Sequence, residues 1–374
     1  MVNILLIGLD ASGNLRMQNT DVIVVLSFNK DTKQVSMLSI PRDLWVYIPT
    51  YGWSRINTTH RWGSRVDYPG RGPGLLMDTI EMHFGIPIDH WARVDFEGFR
   101  RVVDELGGVE MSVACPVNLS YRAPSEDQPN AVERHLEPGV YPMDGATALR
   151  YVRTRRGGTD FDRARRQHEF LKAMWHQTKD PGIILKIPAL WSALADSFDT
   201  DLGVGDVLGL AQVALEVKPQ RIRSRYIGAN QTTGWTNADG WSVLLPDYER
   251  IQRVVASLYA PPYAKEDQAS NEGAQVRILN GTYRPQLAKI AADDLRWHGL
   301  NSVETGPADN PDYESTQIIV YNEKPKAMEV LVEVLEVDPQ SVIYQSVPAD
   351  QVTESGDQPI DIDVILGSDY DPCR

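Results

Sequence analysis

The sequence predicts an α/β protein: a central mixed β-sheet flanked by helices over residues 1–260, a linker at 261–273, and a smaller α/β domain over 274–368. Three observations carry that expectation. Short apolar runs at 4–9, 22–28 and 35–40 read as strands. Helical apolar spacing at 75–84, 96–106 and 162–178 is interleaved with further strand-like runs. The charge also breaks along the chain. Residues 271–374 carry 7 Lys/Arg against 19 Asp/Glu, whereas the remainder, with 30 against 32, is almost neutral.

Taken in order, residues 4–9 close on Gly8-Leu9-Asp10, a continuous run suited to a strand buried on both faces. Residues 22–28 repeat that character. The polar stretch 29–34 reads as a turn into 35–40, making a hairpin that Pro41 stops. Residues 55–74, rich in Gly, Pro, Arg and Trp, read as a long loop of the functional or mobile kind. The helix at 96–106 ends on Gly107-Gly108, and 109–113 return to strand. Residues 150–154 read as extended, 162–178 as a long helix, and 183–198 and 207–217 as apolar helices. The Pro-rich, polar stretch around 261–273 reads as linker. Strands at 276–279, 317–321 and 360–366 then alternate with helices at 285–297 and 325–335.

At 374 residues the chain has length for two cores. The acidic C-terminal end argues against duplex nucleic acid as its partner. No run of eighteen apolar residues is present, so no membrane span is expected within these residues. The chain opens almost at once on a strand, as a cytoplasmic protein or one trimmed of an upstream anchor would. Cys115 and Cys373 are too far apart for a zinc or thioredoxin pattern. Two separate thiols are the favoured reading and one long-range disulfide the alternative.

Patterns for P-loop NTPases, dinucleotide enzymes, zincins and α/β-hydrolases are missing. The strongest feature is the arginine-dense stretch 151–167, which contains no Lys. On an extended segment Arg153 and Arg155 share a face. Arg163 and Gln167, at i and i+4, share a face of the next helix. Guanidinium groups converging in this way suit bidentate recognition of phosphate better than a solvated basic face. Asp10 and Asp21 flank the ends of the first two strands, where ligands of open sheets gather, and could hold Mg²⁺ with phosphate oxygens. Taken singly, each reads as a turn or cap residue. Arg42, beside Asp43 just past a strand end, and Arg55, before Ile56-Asn57, add two further cations. None of the seven His has metal-ligand spacing, and His60, His90 and His168 read as loop or surface residues.

These blocks, in this order, resemble the LytR-CpsA-Psr family of cell-wall glycopolymer phosphotransferases. The likeness runs through Gly8-Leu9-Asp10, Thr20-Asp21, the run 38–43, Arg55-Ile56-Asn57, the motifs at 94–99 and 103–109, and 149–155, and ends on Asp160-Phe161-Asp162-Arg163 and Arg166-Gln167. The segment from Ala274 onward resembles the C-terminal domain of some members. The resemblance implies an enzyme that moves a glycan phosphate from a polyprenyl-pyrophosphate-linked glycan to a sugar hydroxyl of peptidoglycan or another wall polymer. It implies a single N-terminal membrane anchor, absent here, and action at the extracytoplasmic face of the cell membrane. It also implies Mg²⁺ on Asp10 and Asp21, and pyrophosphate on Arg42, Arg153, Arg155, Arg163 and Gln167, with Arg55 a further contact. The helices expected at 183–198 and 207–217 become candidate walls of a lipid cavity, with ordinary core as the competing reading.

Two departures stand out. Asn19 occupies a position where many members have Arg, and Asp162 one where Gly is usual. Losing a cation and gaining an anion reads either as weaker phosphate binding, with Arg16 a candidate to compensate, or as adaptation to a different glycan. Arginines and Mg²⁺ would stabilise phosphoryl-transfer charge without covalent catalysis, and a carboxylate near Asp10 or Asp21 would take the acceptor proton. Rival readings are a pyrophosphatase using water, a non-catalytic binder of lipid-linked glycans, and, last, a nucleic-acid module.

Overall fold

The computed structural model describes residues 1–9, 18–119, 134–155, 159–177, 179, 191, 198–300, 303–345 and 360–373. Along the chain come β1 (Val2–Leu9), β2 (Thr20–Asn29), β3 (Gln34–Ser39), β4 (Trp45–Ile48), β5 (Gly52–Arg55), α1 (Thr59–Arg65), α2 (Arg71–Phe84), β6 (His90–Val94) and α3 (Phe96–Glu105). Next are β7 (Val109–Val113), β8 (Val117–Leu119), β9 (Arg134–Leu136), β10 (Gly139–Met143), α4 (Gly145–Arg153), α5 (Asp160–Gln177), β11 (Phe198–Thr200) and α6 (Val204–Glu216). Then follow β12 (Ile222–Tyr226), β13 (Thr232–Thr236), β14 (Ser242–Pro246), α7 (Tyr248–Leu258), α8 (Ala264–Glu272), β15 (Val276–Asn280) and α9 (Leu287–Trp297). The last are β16 (Val303–Pro307), β17 (Gln317–Val320), α10 (Pro325–Leu335), β18 (Val342–Tyr344) and β19 (Ile362–Leu366).

Two compact units share the chain. The first comprises Met1–Val109, Pro142–Val217 and Ile222–Pro261, and the second Glu110–Tyr141, Lys218–Arg221 and Pro262–Arg374. In the first, six strands form a mixed sheet in the order β11-β6-β1-β2-β3-β12. The β1–β2–β3 hairpins are antiparallel, whereas β6 and β12 join in parallel. Strand alternation splits this sheet into two unlike faces. Leu5, Ile7, Leu9, Ile23 and Val25 pack with Leu76 and Ile80 of α2 and Ile251 and Val255 of α7 into a solid core. Leu6, Gly8, Val22 and Val24 line a cavity whose far wall is α3, α4 and α5.

Local signals explain the helices of that wall. Asp95 caps α3 by accepting from the Gly98 amide at 2.8 Å, and Asp144 caps α4 by accepting from the Thr147 amide at 2.7 Å. The stop after α3 behaves as expected, with Gly107 and Gly108 both at φ 87°. Gly145 lets α4 start against α3, because a Cβ there would sit 2.3 Å from the Arg100 carbonyl oxygen.

Several expectations change. Residues 55–74 hold α1 and most of an inter-helix turn rather than a loop. Their glycines serve packing: a Cβ on Gly63 would meet the Arg71 carbonyl oxygen at 2.6 Å. Residues 150–153 are the end of α4, not extended chain, because Asp144 caps a helix that runs on to Arg153. The helix expected at 207–217 is α6, but it contributes no cavity wall and buries no residue. Of the helix expected at 183–198, all but Trp191 and Phe198 lies outside the described residues, and Phe198 lines the cavity from β11.

The second unit carries a five-stranded sheet in the order β16-β15-β19-β17-β18, with β19 fully buried at its centre. The segment expected as linker, 261–273, contains α8, whose Ala269 is part of this unit's core. Glu272 at its end accepts from the backbone amides of Lys326 and Ala327 at 3.0 and 2.9 Å, capping α10. Cys115 and Cys373 are joined as a disulfide with Cα atoms 5.1 Å apart, so the reading of two separate thiols is corrected. Sequence spacing could not show the pairing, because the partners are 258 residues apart and meet only through the fold.

Candidate active site

The cavity encloses about 580 Å³ between the sheet and α3–α5. Its walls are apolar, with Val102 and Val103 from α3, Leu149 and Val152 from α4, and Phe170, Leu171 and Met174 from α5. Its polar lining is Asp21, Arg42, Arg93, Asp95, Arg153, Arg155, Arg163 and Gln167. An apolar void edged by cations suits an amphiphile with an anionic head.

Three carboxylates hold the cations in place. Arg42 Nη1 donates to Asp21 Oδ1 at 2.5 Å and Arg42 Nε to Asp43 Oδ2 at 3.3 Å. Arg55 Nη1 reaches the other oxygen of Asp43 at 3.2 Å. Asp160, first residue of α5, is the hub of the rest. It lies 3.1 Å from Arg155 Nε, 3.7 Å from Arg163 Nη2 and 4.0 Å from Arg42 Nε. Burial works against the charge of Arg42, but Asp21, Asp43 and Asp160 outweigh it and raise its pKa. For the deeper Arg163 desolvation dominates and lowers the pKa. Arg153 lies over the Phe96 ring with its guanidinium carbon 3.7 Å from the centroid. Gln167 donates to the Val152 carbonyl at 3.3 Å, tying α5 to α4.

Arg42, Arg153, Arg155, Arg163 and Gln167 therefore converge, with Asp21, on one cavity. Arg153 and Arg155 do so by straddling the end of α4 rather than by strand alternation. Thr154 between them leaves the helix at φ −60°, ψ 140°. Arg55 sits one ion pair further out, on Asp43. Asp10 lies outside the described residues. Its neighbour Leu9 pairs with Thr20 in the β1–β2 register, immediately before Asp21. Arg16 also lies outside the described residues. Asp162 stays out of the cavity lining. It accepts from the Thr159 amide at 2.5 Å while Thr159 Oγ1 accepts from the Asp162 amide at 3.3 Å, a capping box that starts α5. The extra anion is spent on the helix.

Sequence reasoning passed over Arg93 and Asp160. Arg93 is buried in β6, bonded to Asp199 and, through Nη1 at 2.8 Å, to His60 Nε2. His60 Nδ1 then donates to the Gln18 carbonyl at 2.9 Å. The signal was an arginine within a short apolar strand, which survives burial only when paired. His60 and His168 are both buried, so their reading as surface residues is corrected. Burial, with Arg93 adding to it, pushes the pKa of His60 down to about 4, and burial pushes that of His168 down to about 3.

Comparison with known proteins agrees with this layout. The LytR_cpsA_psr family model matches residues 1–258, and the model described as LytR cell envelope-related transcriptional attenuator matches residues 273–370. The chain is 35% identical over 213 residues to the probable cell wall biosynthesis protein LcpB of Corynebacterium glutamicum, covering 56% of this chain and 47% of that protein. It is 31% identical over 264 residues to the polyisoprenyl-teichoic acid–peptidoglycan teichoic acid transferase TagU of Oceanobacillus iheyensis, covering 68% of this chain and 73% of that one. A solved structure of YwtF (TagT) with bound octaprenyl pyrophosphate lipid is similar at a TM-score of 0.50 and 26% identity, over 69% of this chain and 88% of that one. The chain spans about half the length of several curated relatives it matches.

Proposed function

The chain belongs to the LytR_cpsA_psr family, and from that premise we propose that it is a transferase of the cell envelope, moving a glycan phosphate from a polyprenyl-pyrophosphate-linked glycan to a sugar hydroxyl of peptidoglycan or a similar wall polymer. The observation that carries this reading is the pairing of an apolar cavity of about 580 Å³ with Arg42, Arg153, Arg155, Arg163 and Gln167 at its polar edge. The relative TagU is named for transfer of this kind, and YwtF (TagT) was solved with octaprenyl pyrophosphate. The polyprenyl chain occupies the apolar void, and the pyrophosphate replaces Asp160 and Asp43 as partner of the arginines. Arg42, Arg155 and Arg163 are already oriented by Asp21, Asp43 and Asp160, and Arg153 by the Phe96 ring, so little reorganisation accompanies charge build-up on the phosphoryl oxygens. Of the two carboxylates in the described lining, Asp95 caps α3, whereas Asp21 is paired with Arg42 and so stands among the arginines that take the pyrophosphate. Asp21 offers a hard oxygen donor of the kind Mg²⁺ prefers alongside phosphate oxygens, and Asp10, which the family resemblance pairs with it, would supply a second. When bound there, Mg²⁺ would neutralise pyrophosphate charge. The acceptor proton passes to a carboxylate at the cavity mouth.

The disulfide between Cys115 and Cys373 supports an oxidising, extracytoplasmic location. Among the described residues no helix is long and apolar enough to cross a membrane. The test is incubation with an octaprenyl-pyrophosphate saccharide, Mg²⁺ and soluble peptidoglycan strands. A phosphodiester-linked product that requires the strands is expected. Release of glycan phosphate at the same rate without them would make the protein a pyrophosphatase.

A further inference from the structure

Two hairpins beside the arginine cluster expose a row of aromatic rings that the transfer site does not use. On β4–β5, Tyr47 and Trp53 pair across the strands and meet edge-to-face at 6.0 Å. On β13–β14, Trp235 meets Trp45 edge-to-face at 6.3 Å, and Trp241 follows β13 in the connecting turn. Trp53 is 59% exposed, Trp235 and Trp241 45% each, and Tyr47 44%. Exposed apolar residues scattered singly need no explanation, but a cluster on one face marks a binding surface. The hairpins form one surface, because Leu244 of β14 bridges Leu44 and its amide donates to the Asp43 carbonyl at 2.9 Å.

We propose that this aromatic face is the docking track of the acceptor, a neutral glycan chain whose sugar rings stack on Trp53, Tyr47 and Trp235. The inference rests on the transfer reading above. Three observations favour this occupant. Sugar rings present apolar C–H faces and hydroxyl edges, which suits flat rings with polar tips, and exposed Thr233, two residues from Trp235 on the same face of β13, supplies a hydroxyl. Of the residues in β4, β5, β13 and β14, Arg55 alone is charged, and it is engaged by Asp43, while the β13–β14 turn that holds Trp241 adds one acid, Asp239, so the track is matched to an uncharged chain rather than to a polyanion. The track is also continuous with the chemistry. The Arg55 guanidinium lies 5.1 Å from the Trp241 ring, Arg55 pairs with Asp43, and Asp43 pairs with Arg42. An in-line displacement brings the nucleophile in opposite the leaving group. The lipid phosphate leaves toward the apolar cavity, so the acceptor hydroxyl enters from the Asp43–Arg55 side.

The experiment titrates the full chain with soluble peptidoglycan oligosaccharides and, separately, arabinogalactan oligosaccharides, following heat of binding. Octaprenyl pyrophosphate binding is measured in parallel. The wild type is expected to bind one glycan class. A Trp53→Ala/Trp235→Ala double variant should bind it about tenfold more weakly and show a raised acceptor KM, with lipid pyrophosphate binding unchanged. Tyr283→Ala, 76% exposed in the second unit, should change neither. Because Trp235 also packs on Trp45, a thermal melt checks that the double variant keeps its fold, and unchanged lipid pyrophosphate binding reports an intact site. Binding of neither glycan by the wild type, an unchanged glycan Kd in the double variant, or a parallel loss of lipid pyrophosphate binding would each overturn the proposal. Glycan binding lost in the double variant, with no transfer product from the wild type, would leave the track standing and remove the transfer reading.

Discussion

Asp160 shows how single residues make this site. One exposed-edge carboxylate holds Arg155, Arg163 and Arg42 within 4.0 Å, so the guanidinium groups keep their orientation before substrate arrives. Each charge-assisted bond to pyrophosphate contributes about 1.5–3 kcal/mol in a partly water-excluded site. Arg153→Ala or Arg155→Ala should therefore lower the transfer rate roughly ten- to hundredfold. Lys at either position should recover little, because it keeps the charge without the planar fork. Arg165 pairs with Glu169 at 3.7 Å and is no part of the cavity lining, so Arg165→Ala should retain activity. Rates at saturating Mg²⁺, with melts to check folding, decide this. Equal rates for all three alanine variants would reduce the cluster to a solvated basic face.

At the scale of the element, α4 matters because its last residue is Arg153. Its start is set by the Asp144 cap and by Gly145 against α3, and its end by the turn at Thr154. Removing the cap with Asp144→Ala should cost about 1 kcal/mol. It should also lower transfer activity, since Arg153 and Arg155 inherit any fraying of the helix. Thermal melting combined with the transfer assay measures both effects. A stability loss of that size with activity intact would show that packing of α4 on α3 positions the arginines without the cap.

Across the whole molecule, buried histidines and the disulfide link stability to solution conditions. His60 is bonded to Arg93 and the Gln18 carbonyl, and His168 to Ser39 and stacked on Tyr226. Their folded pKa values, about 4 and about 3, lie below the unfolded value of 6.5. The unfolded chain therefore binds more protons, and stability present above pH 6.5 is lost as pH falls. His60 by itself accounts for about 3 kcal/mol by pH 4. The melting temperature should fall from pH 6.5 to 4, with a shallower slope in His60→Gln. An unchanged slope would remove His60 from that account. Separately, Cys373→Ser should cost roughly 2–4 kcal/mol. Reductant should lower the melting temperature of the wild type and leave the variant unmoved.

Order and chemistry were legible in the chain alone. Strand runs, the Gly107-Gly108 stop and the arginine-dense stretch are local signals, because each depends on a few neighbouring residues and on backbone preference. Those signals were enough to nominate Asp21, Arg42, Arg153, Arg155, Arg163 and Gln167, all of which line one cavity. Other features depended on contacts distant in sequence. Gly63 and Gly72 resembled loop residues until a second helix lay against them. Asp160 became a hub, Arg93 found Asp199, and Cys115 met Cys373 only when the chain folded. The cavity itself is the clearest case. Alternation along β1 and β2 assigns residues to two faces, but which face is filled and which stays hollow depends on how closely α2 and α7, or α3–α5, approach the sheet. That distance is set by side-chain packing between elements, and no local pattern encodes it.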